Sequence, residues 1–484
     1  MSSLRSNTLL FGLAVVLERL ISFFLLPILT KIISPADYAI WTQSIVVVGV
    51  ITPLILMGFQ TALIKYFPLW ESKSVQRDSV LLAMLITIFA LLTITSGLFL
   101  ICSDSVAKLV YGDSRYKIYI PLLAGFLISE TLYQFLIAIL RATHSFKLIS
   151  LYTVLKGAWR LGIFLLVLYG MRCNFYEAFI AFAFIQLVFI IMMFAKDVPY
   201  KRIFKSGLMA GREHWGETLS FSLPLVGLGV MTGLNNFNDR FFLTHFWGLD
   251  DVAAYSAAFS LVAVSAIFYS VLGLTLFPAL SNLWSNNRHD DAISMVEKAI
   301  RLYLFFILPF IAGAVLAGQD LIVFLATKDY AVPSMVFLLS SSSVGLFGLY
   351  SIGNYVVLLK LNTLRIFGLM VLAALVNVLL NAAFVPYIGI TGAALASFLS
   401  NAILASVTLY WSRKVLGWRF PIQSSIRIVF RTGIMIGFFC FAKSLFGTGA
   451  ILWNLTILLL AGLLYLLLDV LDKRGGLLTL LGQS

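Results

Sequence analysis

Of 484 residues, 61% are hydrophobic and 11% charged, and 34 Lys and Arg against 21 Asp and Glu give a net charge of +13. An ordinary soluble domain is about a quarter charged. A soluble enzyme, a disordered chain and a secreted disulfide scaffold are therefore excluded, and apolar stretches of membrane-spanning length recur along the whole sequence.

Taken in chain order, hydropathy predicts fourteen spanning helices, over residues 8–31, 39–64, 79–101, 117–140, 147–170, 175–195, 217–246, 252–280, 299–325, 332–358, 364–385, 390–411, 427–446 and 450–470. The fold class is thus an all-α polytopic membrane protein. The first segment is read as a span and not a cleaved leader: Glu18 and Arg19 interrupt its apolar run and no small-x-small cleavage site follows. Cys102 and Cys173 fall near helix ends on one side, and free thiols are expected there rather than a bridge. His144, His214, His245 and His289 are scattered over separate loops, and no Gly-rich phosphate loop is found. No metal and no cofactor are expected.

With the N-terminus inside, 23 of the 34 Lys and Arg fall in cytoplasmic segments, 7 in outer segments and 4 within spans. This bias predicts a multi-pass protein with both termini cytoplasmic. It also removes the case for nucleic acid, since the positive charge marks helix ends rather than one basic face. Lys31, Lys65, Arg141, Lys147, Lys360 and Arg365 sit at the rims and are expected to anchor headgroups. The basic stretch from Lys196 to Arg212 is expected to meet anionic lipid.

The halves resemble each other. Leu29-Thr30 is followed by Asp37, Ala39 and Trp41; at an offset of 214, Leu243-Thr244 is followed by Asp251, Ala253 and Tyr255. Gly170 matches Gly389, and the short basic turn Arg141 to Lys147 resembles Lys360 to Arg365. These matches predict an N-terminal six-helix lobe over 1–196, a cytoplasmic basic linker over 197–216, a C-terminal six-helix lobe over 217–412, and two extra helices over 413–484. Six is even, so the lobes are expected to run parallel, related by an axis along the membrane normal, with a cavity between them.

Asn377-x-x-x-Asn381-x-x-x-x-Pro386-Tyr387-Ile388-Gly389-Ile390-Thr391-Gly392-Ala393-Ala394 resembles a recurring segment of the multidrug/oligosaccharidyl-lipid/polysaccharide exporter superfamily. Fourteen helices, a cationic interior and the opening Ser6-Asn7-Thr8 make the chain most similar to the polysaccharide-type flippases, the Wzx-like O-antigen and capsule repeat-unit translocases. The resemblance implies transport of undecaprenyl-pyrophosphate-linked oligosaccharide units from the inner to the outer leaflet of a bacterial inner membrane. It implies polysaccharide assembly proteins as further partners. The small residues Gly389, Gly392, Ala393, Ala394 and Ala396 have a physical reason independent of family, because they let a helix approach its neighbour closely.

Seven charged residues fall well inside spans: Glu18, Arg19, Glu130, Lys156, Arg160, Asp239 and Arg240. Facing lipid, each costs about 2.5–3.5 kcal/mol, on the order of 20 kcal/mol together, more than the folding stability of a typical domain. They must line a wet cavity or pair with one another. Helical spacing groups Glu18 and Arg19 with Ser22, Glu130 with Tyr133 and Gln134, Lys156 with Arg160, and Asn235, Asn238 and Asp239 beside Asn236 and Arg240. Two readings follow. In one, these are buried pairs that hold helices together: Glu18 with Lys156 or Arg160, and Asp239 with Arg240. In the other, Arg19, Lys156, Arg160 and Arg240 draw a pyrophosphate into a vestibule where Tyr133, Gln134, Asn235, Asn236 and Asn238 hydrogen-bond sugar hydroxyls. Glu18, Glu130 and Asp239 then serve as proton or Na⁺ sites.

Rival functions remain distinguishable. A cation-coupled multidrug exporter of the same superfamily fits poorly with four intramembrane basic residues. A lipid II flippase lacks its usual helix-2 arginine here, since residues 39–64 contain no Lys or Arg. A membrane-bound polysaccharide polymerase needs a large outer loop, and the loops are short. A purely structural scaffold does not explain the buried charges.

Overall fold

The computed structural model describes residues 2–67, 74–198, 200–207, 212–360, 363–446 and 451–472. It is helical throughout, with no strand among the described residues. The helices are α1 (Ser2–Ile32), α2 (Pro35–Leu56), α3 (Phe59–Tyr66), α4 (Ser74–Ile101), α5 (Ser103–Tyr111), α6 (Ile120–Ala142), α7 (Phe146–Phe164), α8 (Phe175–Asp197), α9 (Tyr200–Ser206), α10 (Arg212–Phe246), α11 (Leu249–Ala263), α12 (Ala266–Ser285), α13 (His289–Leu325), α14 (Ser334–Leu359), α15 (Thr363–Leu416), α16 (Ile422–Phe446) and α17 (Ile451–Leu471).

Among the described residues twelve stretches are long and apolar enough to cross a membrane. Two of the fourteen predicted spans account for the difference. Residues 367–416 form one 50-residue stretch carrying two predicted spans. At about 1.5 Å per residue it is more than twice as long as the hydrocarbon core is thick, and it breaks at Ile388 and Gly389, whose dihedrals leave the helical region. α10, which carries the seventh predicted span, is not among the twelve. Two other predicted spans are interrupted. Met57 and Gly58, both at positive φ, separate α2 from α3 inside 39–64, and residues 264–265 separate α11 from α12 inside 252–280.

Local chemistry sets several boundaries. Ser34 Oγ accepts the Asp37 N–H at 3.1 Å with Pro35 at the first helical position, starting α2. Asn174 and Glu177 form a reciprocal capping box at α8, both bonds 2.9 Å. α7 closes with a π-helical turn over Leu165–Gly170. At the α15 break, Gly392 is obligatory: a Cβ there would lie 2.8 Å from the Phe384 backbone. Asn377 reaches back across the break to Ser397 and Ser400, 3.4 Å each, so the recurring Asn motif pins the two arms of α15 together.

The chain divides into two compact units, Met1–Asp250 and Asp251–Ser484. In the first, Trp41 centres an aromatic core with Phe164, Phe182, Phe179 and Phe126, at ring distances of 4.9, 5.1, 5.6 and 5.7 Å. α1 packs along α7, and α10 packs along α2. Gly229 and Gly233 make the second contact close: a Cβ on Gly233 would lie 2.9 Å from Val50 Cα, and one on Gly229 2.7 Å from Pro53 Cβ. Gln43, fully buried, joins α2 to both α5 and α10 by donating to the Val110 carbonyl (3.1 Å) and Thr244 Oγ1 (2.7 Å).

In the second unit, Tyr303, Ile300, Val356, Phe439 and Ala461 belong to one core of α13, α14, α16 and α17. The Tyr303 hydroxyl donates to the Gly345 carbonyl at 3.0 Å and sits where Gly348 has no side chain. Ser340, Ser341 and Ser343 are buried, and Asn401 donates to Ser343 at 2.9 Å. Arg431 is 5% exposed and bound to Asp469 of α17 and to Asp472 just after it. Two charges brought together by helix packing can be buried where one alone cannot. Leu459, Leu463 and Leu467 form an exposed apolar stripe on α17, a surface suited to lipid. The protein is a multi-pass membrane protein.

Candidate functional site

α6 carries Glu130, Gln134, Ile137, Ala138 and Arg141, spaced to share one helix face. That face, with parts of α1, α3 and α7, encloses a cavity of about 330 Å³ inside the first unit. Of the twelve residues predicted for the site, Glu18, Glu130, Tyr133, Gln134 and Lys156 line it.

The charges are organised as two pairs. Lys156 Nζ lies 2.8 and 2.7 Å from the two Glu130 oxygens and 4.2 Å from the centre of the Tyr133 ring. Gln134 donates to Glu130 Oε1 at 3.2 Å, and Gln60 donates to Gln134 at 3.1 Å, which orients both amides. In the second pair Arg160 donates to Glu18 at 3.3 Å and also to Ser22, whose hydroxyl donates to the same Glu18 oxygen at 3.0 Å. Glu130 and Lys156 side chains are 13% and 21% exposed, so the bridge is shielded but reachable.

Arg141 is different. It lines the cavity, is exposed, and makes no ion pair among the described residues; its guanidinium lies 5.7 Å from the centre of the Phe11 ring. The sequence places Arg141 at the rim as a headgroup anchor, and the structure adds that it lines this cavity. Its place on the Glu130–Gln134 stripe, eleven and seven residues on, is the sequence signal that it shares the cavity wall with them. Gln60 and Thr153 also line the cavity and were not singled out from sequence.

The remaining candidates lie elsewhere. Arg160 sits behind Glu18 rather than on the cavity wall, and Arg19 is half-buried one step round α1. Asn238, Asp239 and Arg240 are buried together near the C-terminal end of α10, 7, 3 and 6% exposed. The side chains of Asn235 and Asn236 lie outside the described residues. Among the described residues, no three His, Cys, Asp or Glu side chains group as metal ligands.

Chemically, the cavity offers one cation with open hydrogen-bonding capacity, a Lys that could move from carboxylate to another anion, and amide and hydroxyl groups suited to polyols.

Comparison with known proteins gives three findings. The family described as "Polysaccharide biosynthesis protein" matches residues 28–335. The chain is 21% identical over 209 residues to the probable low-salt glycan biosynthesis flippase Agl15 of Haloferax volcanii, across 42% of this chain and 43% of that protein. It therefore spans less than half the length of that relative. Among solved structures, it resembles the lipid II flippase MurJ in an inward closed conformation, with TM-score 0.75, 18% identity and coverage of 96% of this chain and 99% of that one. It also resembles an inward-facing multidrug resistance MATE transporter of the MOP superfamily, with TM-score 0.68, 14% identity and coverage of 84% and 98%. At these identities the structural likeness establishes the fold.

Proposed function

This chain belongs to the polysaccharide biosynthesis protein family, and on that footing we propose that it is a flippase. Its cargo in this reading is an undecaprenyl-pyrophosphate-linked oligosaccharide unit, carried from the inner to the outer leaflet of a bacterial inner membrane by alternating access. Both termini are cytoplasmic in this arrangement, as the basic residues between spans favour. The two six-helix lobes arise from duplication. In support, Thr30 and Thr244 each donate to the carbonyl four residues back, at 2.8 and 2.7 Å, and Ala39 and Ala253 are both fully buried.

The observation that carries the reading is Arg141, a cation without an ion pair among the described residues, opening onto an intramembrane cavity whose other described charges are matched. A pyrophosphate entering the cavity meets Arg141 first. Its oxygens then compete with Glu130 for Lys156, and the carboxylate so released in a low-dielectric site takes up a proton or Na⁺. Glu18, held by Arg160, is a second such site, and Asp239 a third. Gln60, Tyr133 and Gln134 hold sugar hydroxyls. Arg19, Arg240, Asn235, Asn236 and Asn238 make further contacts at later stages of the passage. The prenyl tail stays in lipid. No covalent step is required, so the protein acts as a transporter rather than an enzyme.

A deletion strain of the source bacterium, complemented with wild type or Arg141→Ala, tests this. The expected result is loss of surface polysaccharide in the deletion, with single repeat units accumulating on their lipid carrier at the inner leaflet. Wild type restores export and Arg141→Ala does not. The MATE-like fold and the two cavity carboxylates favour a second reading, a cation-coupled drug exporter. Normal polysaccharide with new sensitivity to cationic dyes would move the function there.

A further inference from the structure

A second cavity, of about 300 Å³, lies where the ends of α4, α6, α7 and α8 meet α9. Its two poles carry opposite charge. At one, the Asp78 carboxylate, 2% exposed, is shared by two guanidiniums: Arg202 binds both its oxygens, with Nη2 to Oδ1 at 3.0 Å, and Arg77 Nε is 3.4 Å away. Two cations against one anion leave that pole at about +1. At the other pole Asp197 accepts the Tyr152 hydroxyl and makes no ion pair among the described residues. Asp197 is the last residue of α8, where the helix carbonyls already point outward and add to its negative potential. Thr143 and Ser145, whose hydroxyls are 3.1 Å apart, lie on the same wall, and Leu81, Leu140 and Leu148 supply an apolar side.

An isolated anion is repelled by Asp197, and an isolated cation by the two guanidiniums. A small zwitterion satisfies both poles. We propose that this cavity binds an amine-bearing phosphodiester, the chemistry of a phosphoethanolamine headgroup, with its phosphate at Arg77 and Arg202 and its ammonium at Asp197. A primary ammonium donates three hydrogen bonds, which Asp197, Thr143 and Ser145 accept. A trimethylammonium donates none and relies on aromatic faces. Phe67 is the one ring among the described lining residues, and Arg77 already lies over it at 4.9 Å. Arg202 belongs to α9, so an occupant also holds that short helix, whose Ile203 is fully buried, against α4.

Native mass spectrometry of the purified full-length protein tests this, with phosphatidylethanolamine, phosphatidylcholine and phosphatidylglycerol of matched acyl chains and with free phosphoethanolamine as competitor. The ethanolamine lipid is expected to be retained preferentially. Asp197→Asn, which keeps the Tyr152 hydrogen bond, should weaken that retention roughly ten-fold without changing the other two lipids. Displacement by free phosphoethanolamine identifies a site for the headgroup alone; retention of the lipid despite excess competitor identifies a site that also needs the glycerol and chains. Equal retention of the three lipids, or an Asp197→Asn protein that keeps its preference, overturns the proposal. Arg202→Lys, folding checked by elution volume, provides an independent arm, because it keeps a charge for Asp78 while losing the two-pronged guanidinium.

Discussion

At the residue scale, Lys156 and Arg141 make opposite predictions. Lys156 neutralises Glu130 in a shielded site. Its removal leaves a carboxylate without its cation, a change that costs roughly 3–5 kcal/mol in a dry interior and less here, since both groups keep some exposure. Lys156→Ala should therefore lower the unfolding temperature in detergent, and adding Glu130→Gln should restore most of it. If the double variant unfolds no later than the single one, the bridge is not what the Lys stabilises. Arg141 makes no ion pair among the described residues. Arg141→Ala should leave the unfolding temperature within about 2 °C, the shift expected of a surface substitution, while abolishing export. This separation distinguishes a substrate contact from a structural charge. The sequence put Lys156 and Arg160 on one stripe and left open which of them pairs with Glu18, because spacing along one helix says nothing about which neighbouring helix faces it; in the structure Arg160 takes Glu18 and Lys156 takes Glu130.

At the element scale, the contact of α10 with α2 depends on missing side chains. A Cβ on Gly233 would press on the backbone of Gly49 and Val50, which cannot rotate away. Gly233→Ala should cost about 1–3 kcal/mol as the helices are forced apart, read as a lower unfolding temperature. Gly437, where a Cβ meets nothing within 4 Å, is the matched control and should tolerate the same change. Sequence showed these glycines only as small residues in an apolar run. Which of them mark a close approach is a property of the packed pair. The break at Met57–Gly58, inside the predicted span 39–64, follows the same logic, whereas the one at Ile388–Gly389 falls in the gap between the predicted spans 364–385 and 390–411. Hydropathy sums over a window and passes smoothly through a two-residue change in backbone direction.

At the scale of the whole molecule, orientation is the checkable claim. Cys102 is exposed and Cys173 partly so, each at the end of a spanning stretch. In intact cells expressing a Cys440→Ala chain, both should react with a membrane-impermeant maleimide, since the proposed topology puts them outside. Burial and the Glu177 carboxylate push the Cys173 thiol up from its ordinary value. A raised thiol pKa disfavours the thiolate, which is the reactive form. Cys173 should therefore label slowly at neutral pH and accelerate as the medium is made more alkaline. Labelling of either cysteine only after permeabilisation would reverse the topology and, with it, the proposed direction of transport.

The sequence by itself determined the class of protein. Its apolar content, the recurrence of long hydrophobic runs and the uneven placement of Lys and Arg are sums over many residues, and such sums survive local errors. It also determined that charges such as Glu18, Glu130, Lys156 and Arg160 had to meet one another or water, because lipid cannot solvate them. Only the tertiary structure decided the pairing: Lys156 with Glu130, Arg160 with Glu18, and Arg431 with Asp469 of the last described helix and Asp472 just beyond it. The helical period fixes which residues share a face. The partner of that face is fixed by how helices pack, and packing depends on shape complementarity between segments far apart in the chain.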